Sequence, residues 1–95
     1  MGIASGPAVI AALNGAGIRV VGRRWRWRPG LKGQTYEPHY RRDGVAVFNP
    51  NGFVGEPQYG ALPGDGLSPN DRYCMCTTRL ILRGARGKFL PEREG

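Results

Sequence analysis

The sequence predicts one small, β-rich α+β domain, with short antiparallel strands, long turn-rich loops and a short N-terminal helix. Three observations support this fold class: the length of 95 residues, two segments with strand-like composition, and glycine and proline spread through the chain. A chain of this length forms one domain and buries a small share of its surface, so its stability is limited. The 16 glycines and 8 prolines follow no repeat and therefore predict loops between short elements.

The first segment, residues 1–17, is predicted to be flexible or docked on a partner. It is small and apolar, and residues 7–14 have the composition of about two helical turns, with Ser5 near the start and Gly15 as a stop. A helix this short is unstable alone, so we expect it either to dock on another surface or to fray.

A strand is predicted over residues 18–28, where arginine and tryptophan alternate with a period of two: Arg24, Trp25, Arg26, Trp27 and Arg28. One face of this strand would carry indoles and the other guanidinium groups. Two interpretations of the indoles are open. They anchor a small core, where each can bury roughly 150–250 Å², or they stack on the bases of a single-stranded nucleic acid. We favour the core.

The rest of the domain, which we place at residues 18–83, contains further short strands. Candidates lie at residues 45–48 and 53–54, on either side of an Asn-Pro-Asn-Gly turn, and the strongest lies at 73–83, which is rich in β-branched residues. Residues 84–95 are predicted to be a charged C-terminal tail. The candidate core residues are Trp25, Trp27, Val45, Val47, Phe53, Tyr73, Leu80 and Leu82.

The net charge of +7 is unevenly placed along the chain. Residues 1–36 contain no acid, and their basic residues are candidates for contact with nucleic acid or with an acidic protein: Arg19, Arg23, Arg24, Arg26, Arg28 and Lys32. Such a segment attracts phosphates or carboxylates over a Debye length of about 10 Å. The simpler alternative is a solvated face that keeps a small protein in solution.

The only two cysteines, Cys74 and Cys76, are separated by one residue. This spacing strains a mutual disulfide, so the chain suits a reducing cytoplasm. Residues two apart on a strand point to one face, and the single histidine, His39, could converge on them from the preceding connector. Two thiolates and an imidazole would supply three of the four ligands of a zinc ion.

The fourth zinc ligand is open at this point, with Asp43, Asp65 or a water as candidates. The alternative is that no cofactor is bound. The thiols would then act as small buried apolar groups, and His39 would form a hydrogen bond to a turn.

Enzymatic activity is not expected. The sequence shows no carboxylate pair with an evident catalytic role and no phosphate-cradling loop, and a Cys–His nucleophile would lack a recognisable orienting residue. A membrane span is not expected either, because Pro7, Asn14 and Arg19 interrupt the most apolar stretch, and that stretch lacks the basic start of a signal peptide.

Several residues occur in a distinctive order: Trp27, Glu37-Pro38-His39, Asp43-Gly44, Pro63-Gly64-Asp65, Asn70, and Cys74-Met75-Cys76-Thr77. Over about residues 25–83, this order and spacing resemble the C-terminal domain of phage Mu F-like minor head (head-morphogenesis) proteins. Members of that family usually carry arginine between the two cysteines, where this chain has Met75.

The resemblance implies a non-enzymatic structural protein of the bacteriophage virion, made in the host cytoplasm and present in several copies per particle. Its expected partners are the major capsid or portal proteins at the portal or the inner capsid face, together with packaged DNA. The alternative is a small basic nucleic-acid-binding module stabilised by zinc. A weaker third possibility, suggested by charge alone, is a ribosome-associated protein.

Overall fold

The fold is a four-stranded antiparallel sheet with two short helices. The computed structural model describes residues 7–33 and 35–95. The sheet has the strand order β2-β1-β3-β4 and consists of β1 (Arg19–Arg26), β2 (Ala46–Val47), β3 (Thr77–Arg83) and β4 (Phe89–Glu94). The helices are α1 (Pro7–Gly15) and α2 (Glu37–Tyr40), and 3₁₀ turns lie at Leu31–Gly33, Pro57–Tyr59 and Asp71–Tyr73. This is the small, β-rich α+β fold expected from the sequence.

The N-terminal helix α1 ends at Gly15, as predicted, and its last carbonyl groups are satisfied by a glycine-based cap. Gly17 has φ +77°, and the next residue, Ile18, donates its backbone N–H to the Leu13 carbonyl at 2.9 Å. This is the Schellman arrangement, which needs a residue that tolerates positive φ. The cap turns the chain back so that Leu13 packs on the sheet. The predicted start at Ser5 lies outside the described residues.

The core consists of two clusters, and β1 contributes a residue to each of them. The first cluster is aliphatic and contains Leu13, Val20, Leu80 and Leu82. The second cluster lies under the long loops and contains Trp25, Phe53 and Cys76, with Trp27, Val47 and Cys74 against its edge. Most of the predicted core residues therefore lie in or beside these clusters.

The two tryptophans differ in burial. Trp25 is fully buried, whereas Trp27 is partly exposed and rests edge-on against Tyr40, with 5.0 Å between ring centroids. The prediction of Val45 as a core residue is wrong, since 44% of its surface is exposed. The Val45 carbonyl accepts the backbone N–H of Trp25, and the Val45 side chain lines an open cleft.

Two of the predicted strands differ in the structure: one is absent and one starts later. Residues 53–54 form no strand, because Phe53 donates its N–H to Ala61 within a loop and Gly52, at φ +86°, turns the chain. The strand predicted over 73–83 begins only at Thr77, because the preceding turn, Asp71–Tyr73, is a 3₁₀ helix.

The predicted tail contains the last strand of the sheet. β4 pairs with β3, and Gly95 donates its backbone N–H to the Thr78 carbonyl at 3.0 Å. Proline and alternating charges make this segment a poor strand by composition. They are tolerated here because β4 is an edge strand, where Pro91 interrupts no central ladder and charge discourages pairing with another chain.

Candidate metal centre

His39, Cys74 and Cys76 come together at the rim of the second cluster. Their ligand atoms all lie within 4.8 Å of one another. The four-residue helix α2 presents His39, whereas both cysteines lie on extended chain between the 3₁₀ turn Asp71–Tyr73 and the start of β3. The convergence inferred from the sequence is thus present, and the three residues form a possible metal-binding group.

The hydrogen bonding of His39 fixes which ring nitrogen is free. Its Nε2 lies 2.6 Å from the Tyr59 carbonyl oxygen, which can only accept, so Nε2 carries the proton and donates it. Nδ1 lies 3.5 Å from the sulfur of Cys74, and in the neutral imidazole it offers a lone pair. A metal-binding histidine commonly shows this pattern, in which one nitrogen donates to a backbone carbonyl and the other faces the ion.

The two thiols share their protons unequally. The pKa of Cys76 is lowered to about 4, first because the Cys74 thiol donates to it, and then because the His39 ring, the Arg28 backbone N–H and the Trp25 indole N–H stabilise its thiolate. These donors outweigh burial, which acts in the opposite direction. The pKa of Cys74 is raised, first because its thiol proton is donated to the sulfur of Cys76, and also because Cys74 is partly buried. The folded chain therefore favours a thiolate at Cys76.

The aromatic rings around the site hold His39 in place. The Trp25 ring lies 4.7 Å from the imidazole, and the Tyr36 ring packs edge-on against it at 4.8 Å. The indole Nε1 of Trp25 is buried and forms no hydrogen bond of standard geometry with the described residues. Its N–H nevertheless stabilises the thiolate of Cys76, so the packing and the charge state of the site support each other.

The arrangement fits a small tetrahedral ion. Zinc–sulfur and zinc–nitrogen bonds of about 2.3 and 2.0–2.1 Å place neighbouring ligand atoms roughly 3.5–3.8 Å apart. The Nδ1 to Cys74 distance of 3.5 Å already matches this spacing, and the remaining pairs need only small side-chain adjustments within the 4.8 Å limit.

Neither acidic residue proposed as the fourth ligand belongs to this group. Asp43 accepts the backbone N–H of Trp27 at 3.0 Å. The carboxylate of Asp65 accepts three backbone N–H groups of its own loop, those of Ala61, Leu62 and Leu67. Both carboxylates organise turns, as short acidic side chains commonly do.

Two of the three side chains in the site are shielded from solvent, whereas Cys74 is partly exposed. Only 2% of the His39 surface and 5% of the Cys76 surface are exposed. A cysteine nucleophile must reach its substrate, whereas a ligand of a structural metal ion is normally shielded. The burial of His39 and Cys76 is typical of ligands of a structural metal ion.

Sequence reasoning missed Arg42, which is 4% exposed and lies beside the site. Its guanidinium carbon lies 4.6 Å from the Trp25 ring centroid and 4.4 Å from that of Phe53. It donates to the Gly60 carbonyl at 2.7 Å and to the Glu56 carbonyl at 3.2 Å. No local pattern indicates this role, because a charged residue is rarely buried unless tertiary partners satisfy it.

The basic residues predicted to contact nucleic acid or an acidic partner do not form one surface. Arg23 is buried and donates to the Pro50 carbonyl and the Thr78 hydroxyl. Arg24 lies 3.1 Å from both carboxylate oxygens of Glu92. Three others are at least partly exposed: Arg19, Arg26 and Arg28. The side chain of Lys32 lies outside the described part of the chain.

No family model, no curated protein and no solved structure matches this chain. Within residues 7–33 and 35–95, no helix has the length and apolar character needed to cross a membrane.

Proposed function

We propose that this chain is a non-enzymatic structural component of a bacteriophage head, of the minor head protein type, which acts through protein–protein contacts and is stabilised by a zinc ion. The observation that carries the proposal is the contact network among the residues of the minor head pattern. The Trp27 backbone bonds to Asp43, Gly44 donates its N–H to the Trp25 carbonyl, and His39 contacts Cys74.

These contacts give the pattern a physical purpose. Residues that are far apart in sequence, between Trp27 and Cys76, join β1, α2 and the chain before β3 into one unit. A small domain with long loops needs such ties, because its core alone supplies little stability. A zinc ion held by His39, Cys74 and Cys76, with water as the fourth ligand, would provide the strongest of them.

The zinc part of the proposal is tested by elemental analysis of the purified chain. We expect about one zinc ion per chain, and we expect Cys76→Ser and His39→Ala to lose it. Removing the metal with a chelator should lower the thermal midpoint by about 10–20 °C, the shift expected for a ligand present at roughly a hundred times its dissociation constant.

Met75→Ser is the matched control, because Met75 lies between the two cysteines and half of its surface is exposed. It should retain zinc and the midpoint of the unchanged protein. Substoichiometric metal in protein made with excess zinc would refute zinc binding and leave the thiols as buried apolar groups.

The virion part is tested by quantitative mass spectrometry of phage particles purified from cells that express the gene. We expect the chain to co-sediment with heads in a fixed ratio to the portal or major capsid protein. Presence of the chain in those cells but not in the particles would contradict a structural role in the head, whatever its zinc content.

A further inference from the structure

One end of the sheet carries positive charge without any acidic residue. The loop before β1 and the β3–β4 turn meet there, and Arg19 is in register with Arg83 across the two strands. Both arginines line a cleft of about 290 Å³ whose remaining wall is small residues: Gly17, Gly84, Ala85 and Gly87. Arg86 and Lys88 extend the charge into the turn and are exposed.

These four cations, which we call the basic end (Arg19, Arg83, Arg86 and Lys88), keep their charge available. None of them takes part in the ion pairs found in the described part of the chain. The first acid after the β3–β4 turn is Glu92, and residues 1–36 contain none. A cluster of this kind attracts a polyanion.

Two exposed aromatic rings adjoin the basic end. Phe48 is 71% exposed and Phe89 is 54% exposed, and their ring centroids are 6.3 Å apart. The Arg83 guanidinium lies over the Phe89 ring at 4.4 Å, which joins the rings to the charged cleft. Gly22 allows this placement, because a Cβ there would lie 3.0 Å from the Phe48 Cα.

We propose that this surface, the ring pair Phe48 and Phe89 together with the basic end, binds single-stranded nucleic acid. Exposed rings beside arginines match a chain in which flat bases alternate with phosphates: the bases stack on the rings and the phosphates pair with the cations. An acidic protein would use the cations but not the ring faces. A duplex would offer its phosphates but keep its bases stacked internally.

This site shares only Arg19 with the basic residues expected from the sequence to make that contact, which were Arg19, Arg23, Arg24, Arg26, Arg28 and Lys32. It also stands apart from the metal centre, and binding there would hold whether or not the chain is part of a virion.

The test is fluorescence anisotropy of the zinc-supplemented full chain with labelled oligodeoxythymidine. Phe48→Ala and Phe89→Ala should each weaken binding by about five- to a hundredfold, the usual loss when a stacking ring is removed. Leucine at either position should be as weak as alanine, because apolar bulk does not replace a ring face. Circular dichroism should show all of these variants folded, since both rings are exposed.

The charge contribution is read from the salt dependence of the affinity. The plot of log affinity against log salt has a negative slope, and Arg19→Ala and Lys88→Ala should each make it less steep by about 0.7. Arg41→Ala is the matched control, because Arg41 is 76% exposed but pairs with Glu37 away from the basic end. It should leave both affinity and slope unchanged.

Two comparison ligands decide between nucleic acid and other polyanions. An abasic oligonucleotide and a duplex of the same length should both bind more weakly than oligodeoxythymidine. Equal binding of the abasic strand, or unchanged binding by Phe89→Ala, would overturn the proposal and indicate a plain anionic partner such as an acidic protein. Full binding by the leucine variants would overturn it in favour of an apolar docking surface.

Discussion

Replacing Arg42 with alanine should destabilise the domain far more than the same change at its neighbour Arg41. Arg42 is buried against the rings of Trp25 and Phe53, which touch each other, and donates to the Gly60 carbonyl at 2.7 Å. Arg41 is 76% exposed and makes one ion pair with Glu37 within the same turn of helix. The two positions therefore isolate the effect of burial at constant residue type.

The magnitude for Arg42 follows from the contacts that are lost. A buried hydrogen bond from a charged donor contributes about 1.5–3 kcal/mol. A desolvated cation over aromatic rings contributes about 2 kcal/mol, and the desolvation of the guanidinium offsets part of this sum. We expect a net loss near 3–4 kcal/mol, or about 12–30 °C in thermal midpoint for a domain of this size. For Arg41→Ala we expect less than about 0.5 kcal/mol.

The assay is urea unfolding followed by circular dichroism, with zinc held at one concentration. Arg42→Lys keeps the charge but not the planar fork, so its midpoint should fall between those of the alanine variant and the unchanged protein. Equal midpoints for the Arg41 and Arg42 alanine variants, or a loss below about 1 kcal/mol at Arg42, would show that the guanidinium is not a structural tie.

Two further predictions concern the backbone and the thiols. Gly22→Ala should cost about 1–3 kcal/mol in urea unfolding, because the new Cβ would lie 2.4 Å from the Val47 carbonyl oxygen. Gly15→Ala meets nothing within 4 Å and should stabilise α1 by about 0.4–1 kcal/mol; a loss there equal to that at Gly22 would refute the steric argument. In metal-free protein, the free energy of unfolding should rise as pH increases from 6 to 9.0, the ordinary pKa of a cysteine thiol. Over this range the folded state holds Cys76 as a thiolate, because its pKa is lowered to about 4, while the unfolded chain still binds that proton. Above pH 9.0 stability should fall, because the folded state retains the Cys74 proton that the unfolded chain loses; a flat profile, unchanged by Cys76→Ser, would contradict the coupling.

The sequence predicts those parts of the fold in which a local pattern has one physical solution. The alternation around Trp25 specifies a strand, and the β-branched run after Cys76 specifies its partner. The spacing of the cysteines places both near one point, which His39 then reaches. Each of these inferences needs only the strand period or the chemistry of a single residue type.

The failures of prediction share a different cause, namely dependence on tertiary partners. Nothing near Arg23 in sequence reveals that it is buried, because its acceptors belong to Pro50 and Thr78. β4 has proline and charge in place of strand formers, and only its position at the sheet edge makes that composition acceptable. Residue-level propensity is a weak guide where neighbours distant in sequence decide the outcome.

Tertiary contacts also determine how much of the net charge is available to a binding partner. The only strand within residues 35–76 is the two-residue β2, so the backbone groups of these loops cannot all pair in a ladder. Polar side chains take over, with arginines bonding to carbonyl groups and aspartates to N–H groups: Arg23, Arg42, Asp43 and Asp65. Part of the net charge of +7 is therefore used inside the fold. Among the cations that form no ion pair in the described part of the chain, four cluster at the basic end, where no acid lies beside them.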